Sequence, residues 1–294
     1  MTSKIIFLFF SSIFLLTACE VINPEEDIPS YLNIAEIDVN VSNPTTYGGD
    51  SHNITDAWVF IDDDLIGAFE LPATIPILEK GKHNLKVKAG IKNNGEILNR
   101  IVYPFYTTYE IASSFDLHQD SIVKINPIVD YEKVNVVWLE DFETPGVSID
   151  TTSNSESTII RTTDSKEVKV GKGSGIINLS SSNKSFVGVT SDLFILPKEG
   201  TPVYLEMDYK TDVFLSVYLS TIFNSTESTS PLVVILKPKK ENGKLVWNKI
   251  YLELTELVSS QVEAIAFQLV FTASIDNSDN DAQILLDNIK LIHS

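Results

Sequence analysis

Residues 212–220, DVFLSVYLS, decide the fold class. Val213, Leu215, Val217 and Leu219 form an apolar row at every second position, and Phe214, Ser216, Tyr218 and Ser220 fill the places between. Successive side chains of a strand point to opposite faces, so this is a strand with one face in a core. Two further stretches read the same way. In LVWNKIYLEL (245–254), Val246, Ile250, Leu252 and Leu254 take the core side and Trp247, Lys249, Tyr251 and Glu253 face outward. In VYLEMDYK (203–210), Tyr204, Glu206 and Asp208 oppose Leu205 and Met207.

The N-terminal half repeats the pattern. Ile37, Val39 and Val41 alternate with Glu36, Asp38 and Asn40, and GKHNLKVKAGI (81–91) turns Leu85, Val87 and Ala89 inward. DAWVFIDDDLIGAFELP (56–72) reads as strand, turn at Asp62-Asp63-Asp64, strand. Gly81, Gly90 and Gly95 are placed at turns. Tyr103, Phe105, Tyr106 and Tyr109 cluster in one strand, as core or edge packing or as an interaction patch. No segment carries a sustained helical period with caps. The expectation is an all-β chain of two β-sandwich domains, residues 31–130 and 136–294, joined by a connector from Pro127 to Lys133.

The chain has 294 residues, a net charge of −18, one cysteine and four histidines. That charge disfavours nucleic acid and anionic lipid surfaces and suits neutral or cationic ligands. A single cysteine excludes an internal disulfide and a cysteine-rich zinc site. No H-E-x-x-H or G-x-S-x-G motif is present. KVGKGSG (169–175) fails as a phosphate loop, because Lys166 stands where its first glycine belongs. Acidic pairs such as Glu140 and Glu143 do not by themselves make a glycosidase, which needs carboxylates flanking one bond across a cleft. The reading is non-catalytic.

At the N-terminus, Lys4 precedes an apolar run, Ile5 to Leu16, which is short for a membrane span and suits a secretory signal. Leu16-Thr17-Ala18-Cys19 resembles a bacterial lipobox. That resemblance implies removal of residues 1–18, lipidation of Cys19 and anchoring of the chain to a membrane. Residues 19–30 read as an acidic tether. Within it, Glu25-Glu26-Asp27 resembles the surface-export signal of Bacteroidetes lipoproteins, which implies an outer-membrane, surface-exposed location; a plain solvated linker is the other reading.

The run from Trp58 to Val87, with its acidic turn, Pro72 and Gly81-Lys82-His83, is similar to PEGA-type repeats, small prealbumin-like sandwiches. It departs from them at Asp64, where a turn glycine is expected, and the resemblance implies a spacer. Asp141-Phe142-Glu143 near the start of the second half and LDNIKL (286–291) near its end resemble galactose-binding-like jelly rolls, including many carbohydrate-binding modules. That resemblance implies two things. One is a structural calcium with Glu143 and Asp287 as ligands by position. The other is a sugar platform on the polar side of the strands, formed by Tyr204, Glu206, Phe214, Tyr218, Trp247 and Tyr251. The alternative is that this side is covered and its aromatics form a second core. The acidic run 276–281 reads as a turn. The resulting expectation is a lipid-anchored envelope protein that binds glycans without catalysis; the alternative is a structural or adhesion lipoprotein that docks other envelope proteins.

Overall fold

The computed structural model describes residues 26–224, 228–276 and 281–294. Cys19, the lipobox and Glu25 lie outside these residues, as does most of the acidic run 276–281. The described chain is all-β apart from two short helices, α1 (Pro44–Tyr47) and α2 (Thr255–Ser260).

Strands between Ser30 and Val129 form three sheets. Ser30–Ile34 lies between Ala73–Ile77 and Ile122–Ile125, and Asp38–Val39 pairs in parallel with Ile128–Val129. The third sheet sets the hairpin Asp56–Ile61 and Asp64–Glu70 beside Gly81–Lys92, which also pairs Arg100–Val102 and Tyr109–Leu117. Strands between Asn135 and His293 form two six-stranded sheets around one core, with a separate two-stranded hairpin, Lys240–Glu241 and Lys244–Leu245. The inner sheet runs Ile159–Thr162, Ser174–Leu179, Ala282–His293, Val203–Thr211, Asn248–Glu253, with Asn135–Glu140 also on Ala282–His293. The outer sheet runs Ile149–Thr151, Ser185–Thr190, Ala266–Ser274, Leu215–Ile222, Ser228–Thr229, with Leu232–Leu236 also on Leu215–Ile222. Leu205, Met207 and Ile284 from one sheet meet Leu215, Val217 and Phe271 from the other in that core.

Local chemistry explains several elements. The hairpin turn is Asp62-Asp63, with φ of 50° and 72°. Two left-handed residues match the twist of paired strands, and aspartate tolerates this region when its carboxylate finds local donors. Asp62 Oδ1 accepts from Asn84 N at 2.8 Å, and Oδ2 lies 2.6 Å from His83 Nδ1. Gly90, expected at a turn, lies inside Gly81–Lys92; a Cβ there would stand 2.8 Å from Asp56 Cβ and 3.0 Å from Trp58 Cδ1, so close approach selects glycine. The connector after Pro127 is structured as well: Ile128–Val129 joins a sheet, and Tyr131 is buried.

In Ala282–His293 simple alternation fails. Ile284 and Leu286 enter the core, but so do Ile289 and Leu291. The phase changes at Asn288, which takes φ 46° where the ladder with Val203–Thr211 shifts register between Glu206 and Asp208. One extra residue on a strand reverses the facing of everything after it.

The polar side of the inner sheet is not a surface. The N-terminal half covers it, and Tyr204, Tyr251 and Ile292 pack in one cluster with Tyr103, Phe105 and Tyr106. Glu206, Asp208, Lys249 and Lys290 are buried at this junction, between 0% and 3% exposed. Glu206 accepts the hydroxyls of Tyr103 (2.6 Å) and Tyr131 (2.8 Å), both from the N-terminal half. Its Oε2 lies 3.1 Å from Lys249 Nζ and 3.8 Å from Lys290 Nζ. Ser51 donates to Asp208 at 2.6 Å, and Lys290 donates to the Tyr47 carbonyl. Burial opposes the charge of Glu206, yet the two ammonium groups and two hydroxyls hold its carboxyl below the usual range. Burial pushes Lys290 down to about 8, with Glu206 opposing.

Removing one member of a buried ionic cluster strands its partners without water, at a cost of about 3–5 kcal/mol. Glu206→Gln is expected to destabilise the chain by about that amount in urea unfolding, because both lysines lose their shared carboxylate. A loss below about 1 kcal/mol would contradict this burial. The depressed Lys290 adds a pH signature. Between its folded value and the ordinary lysine value the unfolded chain binds more protons, so stability rises with pH from about 8 upward. The difference in stability between wild type and Lys290→Met should grow over that window; a flat difference would refute it.

Candidate functional site

Leu215–Ile222 places Leu215, Val217 and Leu219 in the core at no more than 1% exposure. Ser216, Tyr218 and Ser220 therefore lie on the other side, the outer face of the outer sheet. Register supplies their neighbours. Tyr218 stands between Val270 and Leu232, Ser216 between Thr272 and Ile235, and Ser220 beside Gln268. One strand further, Val189 pairs with Val270 and Val187 with Thr272. Tyr218 and its row are half-buried by one another, while Leu232 and Ile235 are 46% and 45% exposed. Unlike the inner sheet, this face has no second layer among the described residues.

Phe214, 59% exposed, shares this parity just before the strand begins. It lines a cleft of 740 Å³ at the sandwich end with Asp212, Pro238, Asp276 and Asp281. Asp212 is held by the backbone: its Oδ1 accepts from Gln283 N at 3.0 Å. An open ring beside carboxylate acceptors suits a ligand with apolar C–H faces and hydroxyl donors.

The six residues expected to form one platform are thus divided. Phe214 and Tyr218 lie on the open face. Tyr204, Glu206 and Tyr251 are sealed beneath the N-terminal half, and Trp247 is half-buried ahead of the inner edge strand Asn248–Glu253. Alternation assigned Tyr204, Glu206, Tyr218 and Tyr251 to the correct side of their own strands. It did not reveal that Leu215–Ile222 belongs to a different sheet, whose polar side points the opposite way. Val187, Val189, Val270 and Thr272 were overlooked. The signal for two of them was the unbroken apolar alternation of FQLVFTAS (267–274), where Val270 and Thr272 face away from buried Leu269 and Phe271.

Glu143 and Asp287 do come together, lining one pocket of 220 Å³ with Asp141 and Asn288. Their oxygens, however, face donors. Asp287 Oδ2 accepts from Lys169 N, Val170 N and Ser174 Oγ, and Oδ1 accepts from Asn288 N at 2.7 Å. Glu143 Oε1 accepts from Lys172 N at 2.7 Å and Gly173 N at 3.2 Å. Calcium takes roughly 6–8 oxygens, and among the described residues no group of three acidic, histidine or cysteine side chains is placed to hold a metal. These residues do not fit calcium; they anchor the 169–174 loop. Burial pushes Asp287 up to about 6, against those hydrogen bonds.

No protein-family model matches the chain, and no curated protein matches it. Among solved structures it is similar to CBM22-1 and GH10 modules of a Clostridium thermocellum xylanase complexed with xylohexaose, at 13% identity and TM-score 0.38, over 54% of this chain. The match spans 28% of the length of that xylanase chain. It is also similar to a xylan-binding domain from CBM 22 (11%, TM-score 0.37, 55% of this chain and 97% of that one). A third is a structure of carbohydrate-binding modules from the beta-sandwich superfamily (15%, TM-score 0.38, 91% and 99%). At these scores the likeness carries no functional weight for this chain.

Roughly 1 mM calcium would stabilise a site of ~1 μM Kd by about 4 kcal/mol. The melting temperature is expected to be the same with roughly 1 mM calcium as with chelator. A rise of several degrees would restore the calcium reading.

Proposed function

We propose that this chain is a non-catalytic glycan-binding protein, anchored at the bacterial outer membrane through a lipid on Cys19 and presenting its outer sheet to ligand. The observation that carries the reading is the open row of Phe214 and Tyr218, flanked by hydrogen-bonding Ser216, Thr272 and Gln268, on a large sheet face that no second layer covers among the described residues. A pyranose ring has an apolar C–H face that stacks on an aromatic ring and hydroxyls that pair with amide, hydroxyl and carboxylate groups. The two rings are four positions apart along an extended chain, about 13 Å, which suits a chain of sugars more than a single one. The net charge of −18 and the acidic rim of the cleft repel polyanions, so the favoured ligand class is neutral polysaccharide.

Titration calorimetry against neutral polysaccharides tests this. Binding is expected to weaken about tenfold for Phe214→Ala and again for Tyr218→Ala, roughly 1.4 kcal/mol each. If no neutral glycan binds, or both variants bind as wild type does, the reading falls and the structural or adhesion role takes its place. For the anchor, Cys19→Ser should move the protein from the membrane to the soluble fraction; retention in the membrane would refute lipidation at that residue.

A further inference from the structure

The two edge strands on this side of the sandwich are treated differently. The inner one, Asn248–Glu253, is capped from within the chain. Asn94 N donates to the Tyr251 carbonyl at 2.9 Å, and the Asn94 side chain accepts from Glu253 N at 2.8 Å. Asn53 Nδ2 donates to the Lys249 carbonyl at 2.9 Å. The outer one, Leu232–Leu236, pairs with Leu215–Ile222 along one edge, and no described strand pairs its other edge. Its sequence is LVVIL, without charge or proline within the strand, preceded by Pro231 and followed by Lys237 and Pro238. Proteins usually protect such edges with charge, proline or a covering segment, because unpaired N–H and C=O groups template another strand.

Beside this edge lies a groove of 530 Å³. Val233, Val234 and Leu257 give it apolar walls, and Glu96, Glu253 and Glu256 give it three carboxylates. Glu253 is satisfied by Asn93 Nδ2 at 2.6 Å, whereas Glu96 and Glu256 form no ion pair among the described residues. Among the described residues no lysine, arginine or histidine lines the groove. The loop that caps the inner edge also contributes Glu96, and the next two residues, Ile97 and Leu98, are 68% and 97% exposed. An open ladder edge, apolar walls, an uncompensated acidic rim and two bare aliphatic side chains thus adjoin one another.

We infer that the free edge of Leu232–Leu236 receives an extended segment of a partner protein as an added strand, its aliphatic side chains in the groove and a lysine or arginine against Glu96 and Glu256. Main-chain pairing would supply affinity, and the groove would select alternate side chains. The charge of the rim names the partner chemistry: a basic, β-prone segment. Tyr218 pairs with Leu232 across the opposite edge of the same strand, so the added strand would use the edge that faces away from the ligand row, and the inference does not rest on glycan binding.

A random-peptide display library selected on the full chain supplies the probe. Recovered peptides should alternate aliphatic residues with lysine or arginine. Their binding should fall roughly tenfold in the charge-reversed double variant Glu96→Lys/Glu256→Lys and weaken with salt. Bound peptide should also slow amide exchange in residues 232–236, while the double variant keeps the wild-type melting temperature. Failure to recover peptides, affinity indifferent to charge reversal, or unchanged exchange at the edge would overturn the inference. So would a concentration-dependent dimer that Val234→Lys dissociates, which would assign the edge to a second copy of this chain.

Discussion

The Glu206 carboxylate governs how this chain is put together. It is wholly buried, shared by the ammonium groups of Lys249 and Lys290, and completed by the hydroxyls of Tyr103 and Tyr131. Glu206 and Lys249 come from the inner sheet, but the hydroxyls come from the N-terminal half. Neither half alone satisfies the cluster: without the other, the inner sheet would expose two lysines, two carboxylates and two tyrosines on a face built to be dry. A buried ionic cluster of this kind adds little net stability over an apolar one. In this chain its effect is to fix which surfaces meet, since a shifted docking would leave a charge unpaired in the interior.

That constraint decides where ligands can reach. Once the inner sheet is committed to the junction, the outer sheet is the face of this sandwich left open among the described residues, and its outward row carries Phe214 and Tyr218. The same docking brings the loop of Asn93, Asn94 and Glu96 against the inner edge strand, closing that edge and stopping short of Leu232–Leu236. Both open surfaces, the ligand face and the free strand edge, follow from how the two halves pack.

The strands themselves were largely legible. Apolar residues at every second position in 203–210, 212–220 and 245–254 gave the all-β class and the facing of Leu205, Leu215 and Leu252 into the core. Three features were hidden for physical reasons. Alternation is a property of one strand, so it cannot say that Tyr218 and Tyr251 belong to sheets facing opposite ways. The bulge at Asn288 breaks the period in a strand whose apolar residues are regular on each side of it. The role of Glu206 depends on Tyr103 and Tyr131, which stand 103 and 75 residues away in the chain. That Glu143 and Asp287 meet was implied by the resemblance to galactose-binding-like folds, but the backbone amides that occupy their oxygens were not.

Hydroxyl-radical footprinting of the full chain, read residue by residue by mass spectrometry, bears most directly on the claim that one sheet is sealed and the other open. The account predicts rapid oxidation at Phe214, measurable oxidation at Tyr218, and protection of Tyr103, Tyr204 and Tyr251 to the level of core residues such as Phe271. Oxidation of Tyr204 and Tyr251 at the rate of Phe214 would contradict it, placing the ligand face on the inner sheet.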